Sequence, residues 1–186
     1  MYDFNQDYLE ACNGIRGKDI HEHLPTLNRL AKQCKHVTEL GVWHGTSTTA
    51  WLNSDVELVS YDLFQSPLAA TLFANALASN KAAQYIIKDV LTLDSIDETD
   101  LLFIDTLHNY EQCSAELSKF SSQVRKYIVF HDTVSFGKSG ETTPNGLLMA
   151  IGEFLVNNLE WSVKEHHTNN NGLTVLEKNM IPSIIG

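Results

Sequence analysis

Val37-Thr38-Glu39-Leu40-Gly41-Val42-Trp43-His44-Gly45-Thr46-Ser47-Thr48-Thr49-Ala50-Trp51-Leu52 joins a short apolar run to a helical one through two glycines. Residues 37–40 read as a strand, and the glycines at 41 and 45 let the backbone turn sharply into a helix and let a ligand approach main-chain N–H groups. Twenty-one residues after Gly41, Asp62 ends the next apolar run. From that position in a doubly wound sheet, a carboxylate accepts hydrogen bonds from ribose hydroxyls. Glycine turn and acid together predict a nucleoside site.

The pattern of that unit continues along the chain. Short apolar runs at 57–61, 84–87, 101–105, 127–130, 161–165 and 173–177 join 37–40 to give seven expected strands. Between them Leu68, Leu72, Phe73, Ala76 and Leu77 share one helical face, as do Cys113, Leu117, Phe120 and Val124, and then Leu147, Ile151, Phe154 and Leu155. Alternating strands and helices predict an α/β fold with a mostly parallel sheet. The last two strands are separated only by His166-His167-Thr168-Asn169-Asn170-Asn171-Gly172, which has no room for a helix and predicts an antiparallel hairpin. Residues 1–35 read as an N-terminal helical extension, with a short helix near 7–12 and an amphipathic one over about 20–34, ahead of a Rossmann-like domain at 36–186. Residues 135–146 lack periodicity, carry Gly137, Gly140, Pro144 and Gly146, and predict a mobile lid over a site.

Composition removes several classes of function. The chain has 186 residues, 13 Lys and Arg against 23 Asp and Glu, and a formal net charge of −10. That length suffices for one domain burying roughly 70% of its unfolded surface without a disulfide or structural metal. The negative balance argues against nucleic acid and anionic membranes as partners and favours a small-molecule substrate. Cys12, Cys34 and Cys113 are odd in number, without C-x-x-C spacing, and read as reduced thiols of a cytoplasmic protein. The acidic N-terminus is unlike a secretory leader, and no run approaches the roughly 20 apolar residues that span a bilayer. A dinucleotide loop is absent, because Trp43 stands where the middle glycine of G-x-G-x-x-G belongs, and no Walker-type phosphate loop occurs. Ser47 lacks the G-x-S-x-G frame of a hydrolase nucleophile. His21-Glu22-His23 and His166-His167 have no third ligand in spacing and read as solvated faces.

Two further motifs fall at expected strand ends. Phe103-Ile104-Asp105 is followed by His108 and Tyr110, and Ile128-Val129-Phe130 by His131, Asp132 and Thr133. Because these strands should be neighbours, Asp105, His108, His131 and Asp132 are expected to converge in the crevice at the carboxyl end of the sheet. His131 is the expected general base, oriented by Asp132 or Asp105, with His108 as the rival.

In order, the motifs Glu39-x-Gly41-x-x-x-Gly45-x-Ser47, Asp62, Asp105-x-x-His108-x-Tyr110 and His131-Asp132 resemble those of class I S-adenosylmethionine-dependent methyltransferases, of the small-molecule O-methyltransferase-like branch. The resemblance spans about residues 36–178. It implies a Rossmann-like sheet of seven strands in the order 3-2-1-4-5-7-6, flanked by helices, with the seventh strand antiparallel. It further implies that Glu39, Gly41 and Ser47 surround the methionine part of S-adenosylmethionine, with Glu39 or its backbone neighbours near the ammonium, that Gly45 belongs to the same cofactor-binding turn, that Asp62 holds the ribose, and that Leu63 packs on the adenine and Asp89 contacts it. Asp105 and His108 would border the methyl group. Part of that branch uses a divalent cation such as Mg2+, for which Asp105, His131 and Asp132 are the candidate ligands, although an imidazole suits a transition metal better. The expected activity is O-methylation of a small polar acceptor such as a sugar or secondary metabolite. A cofactor-binding module without turnover and a metal-dependent enzyme of other chemistry are the alternatives. An N-terminal helical extension of this sort also leaves open a homo-oligomer in which it covers a neighbouring subunit's site.

Overall fold

The computed structural model describes residues 2–179. Strands β1 (His36–Leu40), β2 (Glu57–Asp62), β3 (Ala83–Ile87), β4 (Thr99–Ile104), β5 (Val124–His131), β6 (Trp161–His167) and β7 (Leu173–Lys178) form one sheet in the order β3-β2-β1-β4-β5-β7-β6. Strands β1 to β5 pair in parallel, and β7 runs antiparallel to both β5 and β6. This is the Rossmann-like arrangement expected from the motifs.

Helices α1 (Phe4–Cys12), α2 (Leu24–Ala31), α3 (Thr46–Leu52), α4 (Pro67–Ala78), α5 (Tyr110–Phe120) and α6 (Leu147–Asn157) cover the two faces. On one face Phe4, Ala11, Leu24, Leu27 and Leu30 pack with Trp51, Leu58 and Phe103 into a single cluster. The N-terminal helices are therefore a layer of this core. The other face buries Leu40, Leu102, Ile104, Phe130 and Leu176 under Cys113, Leu117, Phe120, Ile151 and Phe154 of α5 and α6.

Two expectations differ in detail. The amphipathic helix near 20–34 is a 3-10 turn at His21–His23 followed by α2, which ends at Ala31 and runs through a hydrogen-bonded turn at residues 32–34 toward β1. Residues 135–146 hold no regular element but are strapped rather than free. Glu141 N–H donates to the His108 carbonyl, Tyr110 N–H to Asn145, Gly146 N–H to Lys138, and Leu147 N–H to Phe136. Beyond residue 179, the expected domain end at 186 lies outside the described residues. No helix among the described residues is long and apolar enough to cross a membrane.

Candidate functional site

The carboxyl ends of β1, β2, β3 and β4 open onto two adjoining cavities. The first, about 320 Å3, is lined by Gly41, Asp62, Leu63, Asp89, Asp105 and Gln112, among others. The second, about 210 Å3, is lined by Arg16, Gly17, Asp19 and Ile20 of the N-terminal segment, by Val42, Trp43 and His44, by Thr46 and Ser47 of α3, and by Asp105. Val42, Trp43 and Asp105 border both. The two cavities thus meet at the glycine turn and at the end of β4.

The turn is held in shape by Asp62. Its Oδ2 accepts from the main-chain N–H groups of Val42 (2.9 Å) and Trp43 (2.8 Å), and its Oδ1 accepts from Phe64 N–H at 3.0 Å. A carboxylate accepting several main-chain N–H groups is a strong, short-range tether. Gly41 has φ +88° and lies so close to β4 that a Cβ on it would stand 1.9 Å from the Asp105 carbonyl oxygen. Gly45, at φ +79°, begins α3 and faces Ala69 and Leu72. It shapes the turn but lines neither cavity.

The Glu39 side chain is turned away from both cavities. Its side chain is sealed from solvent and accepts from Ser47 Oγ (2.6 Å), Thr48 Oγ1 (2.9 Å), Trp51 Nε1 (2.9 Å) and Ser60 Oγ (2.6 Å). Burial pushes its carboxyl above the ordinary range, and these four donors oppose that rise. Glu39 pins α3 against β1 and β2. A sequence signal existed: Val37 and Glu39 share one strand face, and Ser47, Thr48 and Trp51 offer donors toward it from α3. Ser47 borders the second cavity while donating its hydroxyl to Glu39.

Asp105, His108, His131 and Asp132 do converge. His108 Nε2 lies 3.2 Å from Asp105 Oδ1 and 3.1 Å from Asp132 Oδ2. His131 Nδ1 lies 3.3 Å from the same Asp105 oxygen and 3.2 Å from the same Asp132 oxygen. The outer nitrogens are also engaged: His108 Nδ1 sits 3.1 Å from Glu141 Oε2, and His131 Nε2 sits 3.3 Å from the Asn170 carbonyl oxygen. The His108 ring stacks on Phe136 at 5.0 Å.

This geometry sets His131 back from both cavities. Its side chain is 0% exposed and both ring nitrogens are occupied, so it touches no acceptor. Burial alone would lower its pKa, but the Asp105 and Asp132 carboxylates outweigh burial and push it up to about 10. His108 is likewise raised by Asp105, Asp132 and Glu141 against the opposing effect of burial. Burial would raise Asp105, yet hydrogen bonds from the two imidazoles hold it well below the usual carboxylate range. Asp105 borders both cavities, whereas His108, exposed to the same one-fifth, lines neither.

Two ligand sets with all donor atoms within 4.8 Å overlap here: Asp19, His131 and Asp132, and Asp105, His108 and Asp132. The expected metal trio of Asp105, His131 and Asp132 is thus divided between them. Asp19, like Arg16 and Gly17, escaped sequence reading because it lies in an irregular segment with no motif. Its neighbours are Asn170 and Asn171, about 150 residues away: Asn170 Nδ2 donates to the Lys18 carbonyl and Asn171 Nδ2 to Asp19 Oδ1.

Behind the first cavity, Glu116 is fully buried and accepts through Oε1 from Thr106 Oγ1 (2.7 Å) and Gln112 Nε2 (2.7 Å), while Oε2 has no partner among the described residues. Burial pushes its pKa up to about 7 against those two bonds. The folded-state value exceeds the ordinary 4.5, so the stability supplied by the neutral carboxyl is complete below about pH 4.5 and is lost as pH rises through about 7. The shift corresponds to about 3 kcal/mol at most. Thermal unfolding of the wild type should therefore fall over this window, and Glu116→Gln should flatten that slope; equal slopes in both proteins would remove the assignment.

A family model described as a methyltransferase domain matches residues 38–133, just over half of the chain. No curated protein matches. Among solved structures, the N-methyltransferase NodS of Bradyrhizobium japonicum in complex with S-adenosylhomocysteine is 13% identical with a TM-score of 0.64, over 97% of this chain and 100% of that one. The S-adenosylhomocysteine-bound methyltransferase PaMTH1 of Podospora anserina is 18% identical with a TM-score of 0.63, over 96% and 89%. Magnesium protoporphyrin IX methyltransferase of Synechocystis, with bound S-adenosylmethionine, is 16% identical with a TM-score of 0.62, over 93% and 89%. These likenesses establish a shared fold.

Proposed function

Because the chain belongs to the methyltransferase-domain family, we propose that it transfers a methyl group from S-adenosylmethionine to a hydroxyl of a small polar acceptor, such as a sugar or secondary metabolite. The observation that carries this reading is the pair of cavities meeting at Asp105, the first of them floored by the Asp62-tethered glycine turn. The adenosyl group fits the first cavity, with Asp62 accepting from the ribose hydroxyls, Leu63 against the base and Asp89 at its rim. The methionine portion runs past Gly41 and Val42 toward Ser47. The sulfonium methyl then lies at the junction, beside Asp105, and the acceptor enters along the N-terminal segment.

Transfer breaks the sulfur–methyl bond as the acceptor oxygen forms its bond to the same carbon, the sulfur keeps the bonding pair, and the hydroxyl proton passes to the Asp105 carboxylate and from it to solvent in the cavities. Holding the two reactants in line supplies most of the acceleration. Asp105 faces the acceptor hydroxyl and holds its proton in hydrogen-bonded reach, while His108, His131 and Asp132 fix the Asp105 carboxylate. The donor set around Asp132 mixes imidazole nitrogens and carboxylate oxygens, which fits a divalent cation. Bound there, such an ion would make an acceptor hydroxyl more acidic.

The net charge of −10 and the small size of the two cavities favour a small acceptor over nucleic acid or membrane. A cytoplasmic location, and a homo-oligomer formed through the N-terminal helices, belong to the same reading. The test is methyl transfer from isotopically labelled S-adenosylmethionine across a panel of small hydroxyl-bearing acceptors. Labelled product is expected with at least one class, and Asp105→Asn should lower its rate by roughly 10²-fold or more. Binding of S-adenosylhomocysteine without transfer to any acceptor would favour a cofactor-binding module instead.

A further inference from the structure

One fully buried acid holds two residues of the first cavity's wall from behind. Thr106 Oγ1 and Gln112 Nε2 each donate to Glu116 Oε1 at 2.7 Å, and both Thr106 and Gln112 border the cavity. Glu116 itself is 0% exposed, stands one turn after Gln112 on α5, and leaves Oε2 buried without a partner among the described residues. Sealing a carboxyl away from water with one oxygen unpaired costs stability that an apolar side chain would not. Methyl transfer itself makes no use of this acid.

The acid also decides how Gln112 is turned. A glutamine amide donates at its nitrogen and accepts at its carbonyl oxygen, so at a cavity wall either end can face a guest. Here Glu116 Oε1 accepts from two donors and draws the Gln112 nitrogen inward, while Gln112 Oε1 accepts from no group among the described residues and is the end left for the cavity. The main chain is fixed as well. Gln112 N–H donates to Asn109 Oδ1 at 2.8 Å in the first turn of α5, and Asn109 Nδ2 donates to Thr142 Oγ1 at 3.2 Å. Asp89 is a further acceptor on the same cavity. Such a wall suits a ligand edge that donates, and among purine bases the 6-amino group of adenine donates where a 6-oxo group only accepts.

We propose that Gln112 is a specificity-determining residue of the first cavity, its side-chain carbonyl accepting from the 6-amino group of adenine, and that Glu116 is the positioning residue that keeps this carbonyl turned to the ligand. The proposal rests on the reading of the first cavity as the adenosyl site and deepens it, since the cofactor is then accepted as a 6-amino purine and refused as a 6-oxo one. With a 6-oxo base two carbonyl oxygens face each other and neither is paired. Turning the amide over gives no relief, because it sets the Gln112 oxygen against Glu116 Oε1, where a donor stands now.

The experiment is calorimetric titration of the full-length protein with S-adenosylhomocysteine and with its 6-oxo analogue, S-inosylhomocysteine, with thermal unfolding of every variant recorded alongside. Wild type is expected to bind the 6-amino ligand roughly 10- to 100-fold more tightly. Gln112→Met should cut that ratio by roughly 10-fold, chiefly through lost affinity for S-adenosylhomocysteine. Glu116→Met should cut it likewise, whereas Glu116→Gln, which keeps a carbonyl oxygen for both donors, should restore the wild-type ratio. A purely structural role for Glu116 would lower both affinities together and leave the ratio unmoved. Because Gln112 is only half-buried, Gln112→Met carries the test even where Glu116→Met does not fold. Equal affinity of wild type for the two ligands would overturn the proposal, and a ratio unchanged by Gln112→Met would overturn it by leaving the discrimination to Asp89. An unchanged ratio in folded Glu116→Met would overturn the positioning role. Folded wild type that binds neither ligand would overturn the adenosyl reading together with this one, whereas S-adenosylhomocysteine bound without discrimination would overturn this one alone.

Discussion

Replacing Gly41 by alanine is expected to destabilise the chain by about 3–5 kcal/mol, the sum of a strained left-handed residue and an overpacked contact. The methyl group has nowhere to go. At φ +88° it would stand 1.9 Å from the Asp105 carbonyl oxygen and 2.6 Å from the carbonyl carbon, both of them backbone atoms in the adjacent strand end. Relief requires β1 and β4 to separate where the two cavities meet, so the protein that does fold should bind cofactor poorly. Since stability of a domain is typically about 5–15 kcal/mol, much of the total is at risk. Gly152 supplies the control: it sits inside α6 with nothing within 4 Å of an added Cβ. Gly152→Ala should be neutral or stabilising by up to about 1 kcal/mol. Urea midpoints of the two variants measure the contrast, and equal midpoints would show that the close approach at Gly41 is not required.

Asp62→Ala should lower affinity for S-adenosylhomocysteine by about 100-fold or more, close to 3 kcal/mol. Two losses combine. The ribose hydroxyls lose their acceptor, and the N–H groups of Val42, Trp43 and Phe64 lose the carboxylate that fixes the turn. Asp62→Asn should fall between the two, because an amide keeps one acceptor oxygen but presents its own N–H groups to main-chain donors. Measured by calorimetry beside thermal unfolding, a large affinity loss with a small change in melting temperature is the expected pattern. An Asp62→Ala protein that binds as tightly as wild type would mean the cavity's ligand does not use this carboxylate.

Much of this site was legible because its residues sit at strand ends. In a parallel sheet every strand delivers its last residues to the same edge, so Asp62, Asp105, His131 and Asp132 could be placed together before any coordinates, from the pattern of apolar runs alone. The hairpin was equally readable, since the seven polar residues from His166 to Gly172 leave no length for a crossover helix. Direction of the side chain was harder to read than its position. Glu39 lies two residues before the turn, yet strand alternation sends it into the α3 face, where four donors enclose it. His131 reaches the right edge but is closed off by Asp105, Asp132 and the Asn170 carbonyl, so proximity to the crevice did not make it a base. The contribution of Asp19 and of the 169–171 turn had no periodicity to announce it, because irregular segments meet through tertiary packing only.

The central claim is that an adenosyl group occupies the cavity beneath the Gly41–Gly45 turn. Calorimetric titration of the wild-type chain with S-adenosylhomocysteine tests it most directly. One saturating equivalent per chain is predicted, with the heat diminished by Asp62→Ala; a wild-type protein that is folded and gives no saturable binding would contradict the account.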